Sequence, residues 1–183
     1  MHLAKWTVFL IVSGSLALST LAACGSERSG SKGALSVGKA APELSGVDHR
    51  GTPLDLRKLS TDSFVLVYFY PKDNTPGCTK EACALRDVWK KYSDAKVTVI
   101  GVSRDSAEKH RQFADEHQLP FSLIADEDGA WAAAFSVGKT FGMYQRKSFL
   151  IGPGGKVERV YDKVDPGLHA RQVLEDVAAL RTH

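Results

Sequence analysis

Phe64-Val65-Leu66-Val67-Tyr68-Phe69-Tyr70 runs directly into Pro71-Lys72-Asp73-Asn74-Thr75-Pro76-Gly77-Cys78-Thr79-Lys80-Glu81-Ala82-Cys83. The first seven residues are all apolar or aromatic strand formers. Such a run suits a central strand buried on both faces. Pro71 ends it, because proline has no N–H to give a ladder. Further on, Thr75 is placed to cap a helix by accepting from a free N–H two or three residues on. Pro76 then falls at the first helical position, which proline favours. Cys78 becomes the third helical residue, in the turn where free N–H groups and the positive end of the dipole lie. That setting favours the thiolate, the nucleophilic form of cysteine.

Cys83 lies five residues beyond Cys78. In an unbroken helix this means a rise of roughly 7.5 Å and a turn of roughly 140°. The Cα atoms would stand roughly 8 to 9 Å apart, outside the reach of a disulfide. The two thiols therefore share a helix when reduced and bond only if it unwinds. A loop this short is also a poor structural staple.

Outward from this segment, strands and helices alternate. Residues 76–92 carry Ala82, Leu85, Val88, Trp89 and Tyr92 at helical spacing. Val97–Val102 reads as a second β run and Ser106–Gln118 as an amphipathic helix. Ser122–Ala125 reads as a short strand and Ala130–Phe135 as a short helix. Ser148–Ile151 and Lys156–Tyr161 flank Gly152-Pro153-Gly154-Gly155 as a hairpin, and Leu168–Leu180 is a last helix. Before the long strand, Pro42–Leu59 reads as a loop with a short hairpin. The order predicts an α/β fold with a central mixed sheet flanked by helices.

The N-terminus differs in kind. One lysine in Met1–Lys5 precedes the largely apolar Trp6–Leu18, and small residues follow up to Cys24. This is the layout of a secretory signal peptide. The apolar stretch is shorter than the roughly 18 residues a spanning helix needs. Its end, Leu21-Ala22-Ala23-Cys24, resembles a bacterial lipobox, which implies cleavage before Cys24 and a lipid on that residue; a plain signal peptide or an uncleaved anchor is the alternative reading. Gly25–Gly33 is rich in glycine and serine and reads as a tether. The expected organisation is a signal peptide over 1–23, a lipid site and tether over 24–34, and one folded domain over 35–183. The chain would be exported and anchored to a bacterial membrane on the envelope side.

Composition excludes several classes. The chain is 43% hydrophobic and 25% charged with a net charge of +3, ordinary for a globular protein. No basic stripe suggests nucleic acid. The histidines form no ligand constellation, and His110 and His117 read as solvated positions on a polar helix. Asp126-Glu127-Asp128-Gly129 lacks an EF-hand pattern and reads as a turn before a helix. Gly152–Gly155 lacks the Lys-Ser/Thr of a phosphate loop. No metal and no cofactor is expected.

Pro71, Thr75 and Cys78 fit Pro-x-x-x-Thr-x-x-Cys, the motif of the peroxiredoxins. The string from Tyr68 to Cys83 resembles their Q-type subfamily, also called bacterioferritin comigratory proteins. Gly101–Ser106 and Arg146-Lys147-Ser148-Phe149-Leu150-Ile151 match at corresponding places, and the resemblance covers roughly residues 36 to 180. It implies a thioredoxin-like fold and a thiol peroxidase. Cys78 would be the peroxidatic thiolate and Cys83 the resolving partner, joined in an intramolecular disulfide. Thr75 would bond the peroxide or thiolate, and Pro71 would shield the site. Arg146 would hold the thiolate and stabilise charge on the breaking O–O bond. The substrate would be a hydroperoxide, the electron donor a thioredoxin-like reductant, and the chain a monomer, as Q-type relatives often are.

Two other readings stay beside this one. A thioredoxin-type thiol–disulfide oxidoreductase would use Cys-x-x-Cys, whereas here four residues separate the cysteines. A non-catalytic surface domain could carry a structural disulfide, which the short loop argues against. Residue by residue, Cys78 could be an inert thiol, Cys83 a packing residue and Arg146 a solvated strand residue.

Overall fold

The computed structural model describes residues 34–182. The leader, the lipid site at Cys24 and nearly all of the tether lie outside the described residues. Among the described residues no helix is long and apolar enough to cross a membrane.

A short antiparallel hairpin, β1 (Ser45–Val47) and β2 (Pro53–Asp55), opens the domain and leads into α1 (Leu56–Leu59). Then come β3 (Phe64–Phe69), α2 (Pro76–Asp87), α3 (Trp89–Asp94), β4 (Val97–Ser103), α4 (Ala107–His117), β5 (Ser122–Ala125) and α5 (Ala130–Ala134). A second small hairpin, β6 (Lys139–Thr140) and β7 (Met143–Tyr144), precedes β8 (Lys147–Ile151), β9 (Val157–Tyr161) and α6 (His169–Arg181). The main sheet has the order β5-β4-β3-β8-β9. β3 runs parallel to β4, and β4 to β5, while β8 lies antiparallel to β3 and β9. The sheet is mixed, with helices on its faces, and the fold is thioredoxin-like.

Every residue of β3 is buried. The strand pleat sends Val65, Val67 and Phe69 to one core with Ile100, Trp131 and Phe149. It sends Leu66, Tyr68 and Tyr70 to the other, with Cys78, Leu85, Tyr92, Phe113 and Val173. An apolar run without polar alternation is what a strand covered on both faces requires. The site described below grows from the carboxyl end of this strand.

Gly101 in β4 stands in register with Tyr68 on one side and Leu123 on the other. A Cβ there would come within 2.7 Å of Leu123 and 2.8 Å of the Tyr68 ring. Both neighbours are fully buried and cannot swing away. The glycine is a space requirement, not a turn.

The helix expected over 76–92 is two helices, broken at Val88, whose φ of −108° and ψ of 15° leave the helical range. The break lets α3 set Tyr92 in the core, with its hydroxyl donating to the Ala170 carbonyl of α6 at 2.9 Å. No proline or glycine marks it. The β6–β7 hairpin and α1 are also additions to the expected elements. They are four residues or fewer, too short for periodicity to register. His110 is not solvated as expected: it is fully buried. On α4 it shares a face with Phe113 and Ala114, three and four residues on.

Gly101→Ala is expected to lower stability by about 1–3 kcal/mol through overpacking. Urea unfolding followed by tryptophan fluorescence measures it.

Candidate active site

The segment after β3 is held by buried polar groups. The Tyr70 hydroxyl donates to Asp73 Oδ1 at 2.7 Å, and His110 Nδ1 meets Asp73 Oδ2 at 2.8 Å. The other His110 nitrogen, Nε2, faces the Ile124 carbonyl at 3.1 Å and so carries hydrogen. The Asp73 backbone N–H donates to Asp105 Oδ2 at 2.9 Å, and Ser103 donates to the same oxygen at 2.8 Å. Asn74 follows with φ of 56°, a left-handed conformation that asparagine tolerates. Its amide donates to Glu116 and its carbonyl meets His117, both near the end of α4. Anchored along this length, the loop delivers its end to one place.

That end starts α2. Thr75 is the N-cap residue, with extended φ and ψ, and Pro76 is the first helical residue, as expected. The Thr75 carbonyl accepts from the Thr79 N–H at 2.9 Å. The Thr75 hydroxyl, however, makes no cap bond to the helix. It donates backwards to the Lys72 carbonyl at 3.0 Å. This corrects the expected capping role, and a hydroxyl whose hydrogen is spent keeps its lone pairs for another donor. Pro71, partly buried, closes the strand as expected.

Cys78 sits in the first turn of α2 and is 2% exposed. Arg146, from the link between β7 and β8, donates from Nη2 to the Cys78 sulfur at 3.2 Å. Its Nη1 is hydrogen-bonded to Glu81 Oε2. The other carboxylate oxygen of Glu81 faces His169 Nδ1, at the start of α6, at 2.9 Å. Glu81 and His169 are both fully buried. A chain of contacts thus runs from sulfur to guanidinium to carboxylate to imidazole. Burial works against the charge on Arg146, but the Glu81 carboxylate and the Cys78 sulfur outweigh it and hold the guanidinium above its usual range. Arg146 is a fixed cation at the sulfur.

Gly77 makes room for that cation. A Cβ at Gly77 would lie 3.2 Å from Arg146 Nη2 and 3.9 Å from Pro166, in the segment leading to α6. Cys83 is also in α2, partly exposed, and both cysteines are free thiols. Their shared helix meets the condition for the separation argued above, so bonding requires unwinding. The structure therefore gathers Pro71, Thr75, Cys78 and Arg146 at one end of the sheet, with Cys83 one and a half turns along the helix.

Sequence reasoning passed over Glu81, His169, Gly77 and the Asp73–His110 pair. The signal for Glu81 was present. With Cys78, Ala82 and Leu85 it forms the i, i+3, i+4, i+7 stripe of α2, so a carboxylate lies on the buried face. His169 begins a similar stripe with Val173 and Val177. Among the described residues no cluster of His, Cys, Asp and Glu is arranged to hold a metal ion. The Asp126–Gly129 turn caps α5, as the Asp126 carboxylate accepts from the Trp131 and Ala132 N–H groups at 2.9 Å each.

Residues 37–160 match the model of the AhpC/TSA family. The chain is 39% identical over 147 residues to a putative peroxiredoxin bcp of Coxiella burnetii, a match covering 76% of this chain and 97% of that one. It is 41% identical over 147 residues to peroxiredoxin Bcp of Escherichia coli K12, covering 76% and 94%. Among solved structures, peroxidoxin BcpB from Mycobacterium tuberculosis superimposes with a TM-score of 0.75 at 32% identity, covering 80% of this chain and 99% of that one.

Gly77→Ala is expected to slow alkylation of Cys78 by iodoacetamide several-fold at neutral pH. The added methyl pushes on a guanidinium that Glu81 prevents from yielding. Cysteine-resolved mass spectrometry, with Cys83 as internal reference, reads the rate.

Proposed function

Because the chain belongs to the AhpC/TSA family and, within it, to the Bcp/PrxQ peroxiredoxins, which are thiol peroxidases, we propose that it reduces hydrogen peroxide and organic hydroperoxides through Cys78, with Cys83 resolving. The observation that carries this reading is the 3.2 Å contact from Arg146 to the Cys78 sulfur at the start of α2. The guanidinium presents donors beside the sulfur, where negative charge moves during attack on a peroxide.

The Cys78 thiolate attacks the distal peroxide oxygen and the O–O bond breaks. The leaving oxygen takes a proton and departs as an alcohol, or as water when the substrate is hydrogen peroxide. Sulfur is oxidised to a sulfenic acid as the peroxide is reduced. Arg146 compensates the charge that moves from sulfur to oxygen. Thr75, its hydrogen committed to Lys72, acts as an acceptor for the hydroperoxide O–H. Pro71 shields the site from water. The Cys83 thiol then condenses with the sulfenic acid, releasing water and leaving a disulfide. A thioredoxin-like dithiol reduces that disulfide and restores both thiols. No cofactor or metal enters this chemistry.

We also propose that the protein is an exported lipoprotein, anchored through Cys24 to a bacterial membrane and active as a monomer. The anchor rests on Leu21-Ala22-Ala23-Cys24 and the glycine- and serine-rich tether after it, and the monomer on the resemblance to Q-type relatives. The expected N-terminal peptide of the membrane-extracted protein starts at Cys24 and carries acyl mass. A peptide starting elsewhere, without lipid, overturns the anchor.

One equivalent of hydrogen peroxide added to the reduced protein is expected to remove two mass units within seconds and protect Cys78 and Cys83 from alkylation. Cys78→Ser should abolish turnover, and Cys83→Ser should stop at one sulfenic acid per chain. An unchanged mass after minutes would refute the peroxidase reading.

A further inference from the structure

Glu81 lies between the two cysteines, three residues after Cys78 and two before Cys83. The turn that must unwind for the disulfide therefore contains a wholly buried carboxylate. Both of its bonds reach outside α2: to Arg146 at the end of the sheet and to His169 on α6. Unwinding residues 78–83 carries Glu81 away from both partners. Hydrogen bonds to a buried charge are among the costlier ones to break.

His169 is placed firmly. Its backbone N–H donates to the Asp165 carbonyl at 3.0 Å, and Asp165 Oδ1 accepts from the Gly167 and Leu168 N–H groups. The ring packs edge-on against Tyr161 at 5.1 Å between centroids. Glu81 already accepts from the guanidinium, so the hydrogen between the Glu81 and His169 side chains belongs to Nδ1. The other ring nitrogen, Nε2, is buried and makes no hydrogen bond. A buried ring nitrogen without a partner is itself a cost. What histidine adds is the donor to Glu81.

We propose that His169 is a positioning residue that keeps α2 wound between Cys78 and Cys83, and so sets how fast the Cys78 sulfenic acid is resolved. The proposal rests on the two-cysteine reading above. Two reactions compete for the sulfenic acid. The Cys83 thiol condenses with it to a disulfide and water, once α2 opens. Alternatively, a second hydroperoxide transfers an oxygen to it, giving a sulfinic acid and an alcohol or water. A tighter clamp prolongs the sulfenic acid and favours the second outcome. A looser clamp favours the first.

The test uses the reduced full chain, mixed rapidly with hydrogen peroxide. The peroxide-independent phase of tryptophan fluorescence gives disulfide formation, and mass spectrometry gives the sulfinic fraction as peroxide rises. His169→Phe keeps the ring and removes the donor. It is expected to speed disulfide formation about tenfold and raise the peroxide needed for half over-oxidation. His169→Asn, whose amide nitrogen overlays Nδ1, is expected to return both values close to wild type. Val173→Ala, a cavity in the same helix, should lower stability and leave the disulfide phase unchanged. If His169→Phe does not fold, His169→Gln replaces it, because its amide overlays Nε2 and misses Glu81. An unchanged disulfide phase in the donor-lacking variant overturns the proposal, as does an equal acceleration by Val173→Ala. Absence of a Cys78–Cys83 disulfide in the wild type is a different failure, since it removes the two-cysteine reading itself.

Discussion

One guanidinium faces two sulfur and oxygen partners that would otherwise sit uncompensated in the core. Arg146 donates to the Cys78 sulfur with one amino group and to the Glu81 carboxylate with the other. A lysine could not span both, because its ammonium is a point charge without a planar fork. The contact dictates much of its surroundings. It calls for a strand end that delivers Arg146 level with the first turn of α2. It calls for Gly77 at the close approach. It also places a carboxylate on a buried helix face, where Arg146 and His169 satisfy it.

The main sheet supplies that alignment. β3 and β8 are antiparallel neighbours, with Phe69 opposite Lys147. The chain leaving β3 and the chain entering β8 therefore meet at the same edge of the sheet. The first carries Cys78, after an eight-residue excursion, and the second is preceded directly by Arg146. The excursion is held to shape by Asp73, His110 and Asp105. Register in the sheet core thus becomes a distance at the sulfur. A buried strand pair is a better ruler than any loop, since a one-residue slip would turn every side chain to the wrong face.

Much of this was legible in the sequence. The run Phe64–Tyr70 announced a doubly covered strand, and Thr75-Pro76 announced the helix that follows. The family resemblance supplied Arg146, which lies in a different part of the chain and which no local pattern joins to Cys78. What escaped was of two kinds. The polar residues on buried stripes, Glu81, His110 and His169, look like solvated residues until their apolar neighbours are counted at helical spacing. The Val88 break depends on a tertiary partner, and the Thr75 hydroxyl on a choice between two local ones. Tyr92 is drawn inwards by α6, and Lys72 presents its carbonyl to a hydroxyl that could equally have bonded forwards.

The discontinuity at Val88 has a bearing on how far disorder can spread. In a single helix from Pro76 to Tyr92, opening the first two turns would fray the rest, because each backbone bond leans on the one before it. Here the ladder is already interrupted. α3 has its own anchor outside α2, the Tyr92 hydroxyl on the Ala170 carbonyl. The interruption works as a firebreak. The twelve residues of α2 end at that break, so an opening that starts near Cys78 meets a boundary before it reaches α3, the sheet or α6.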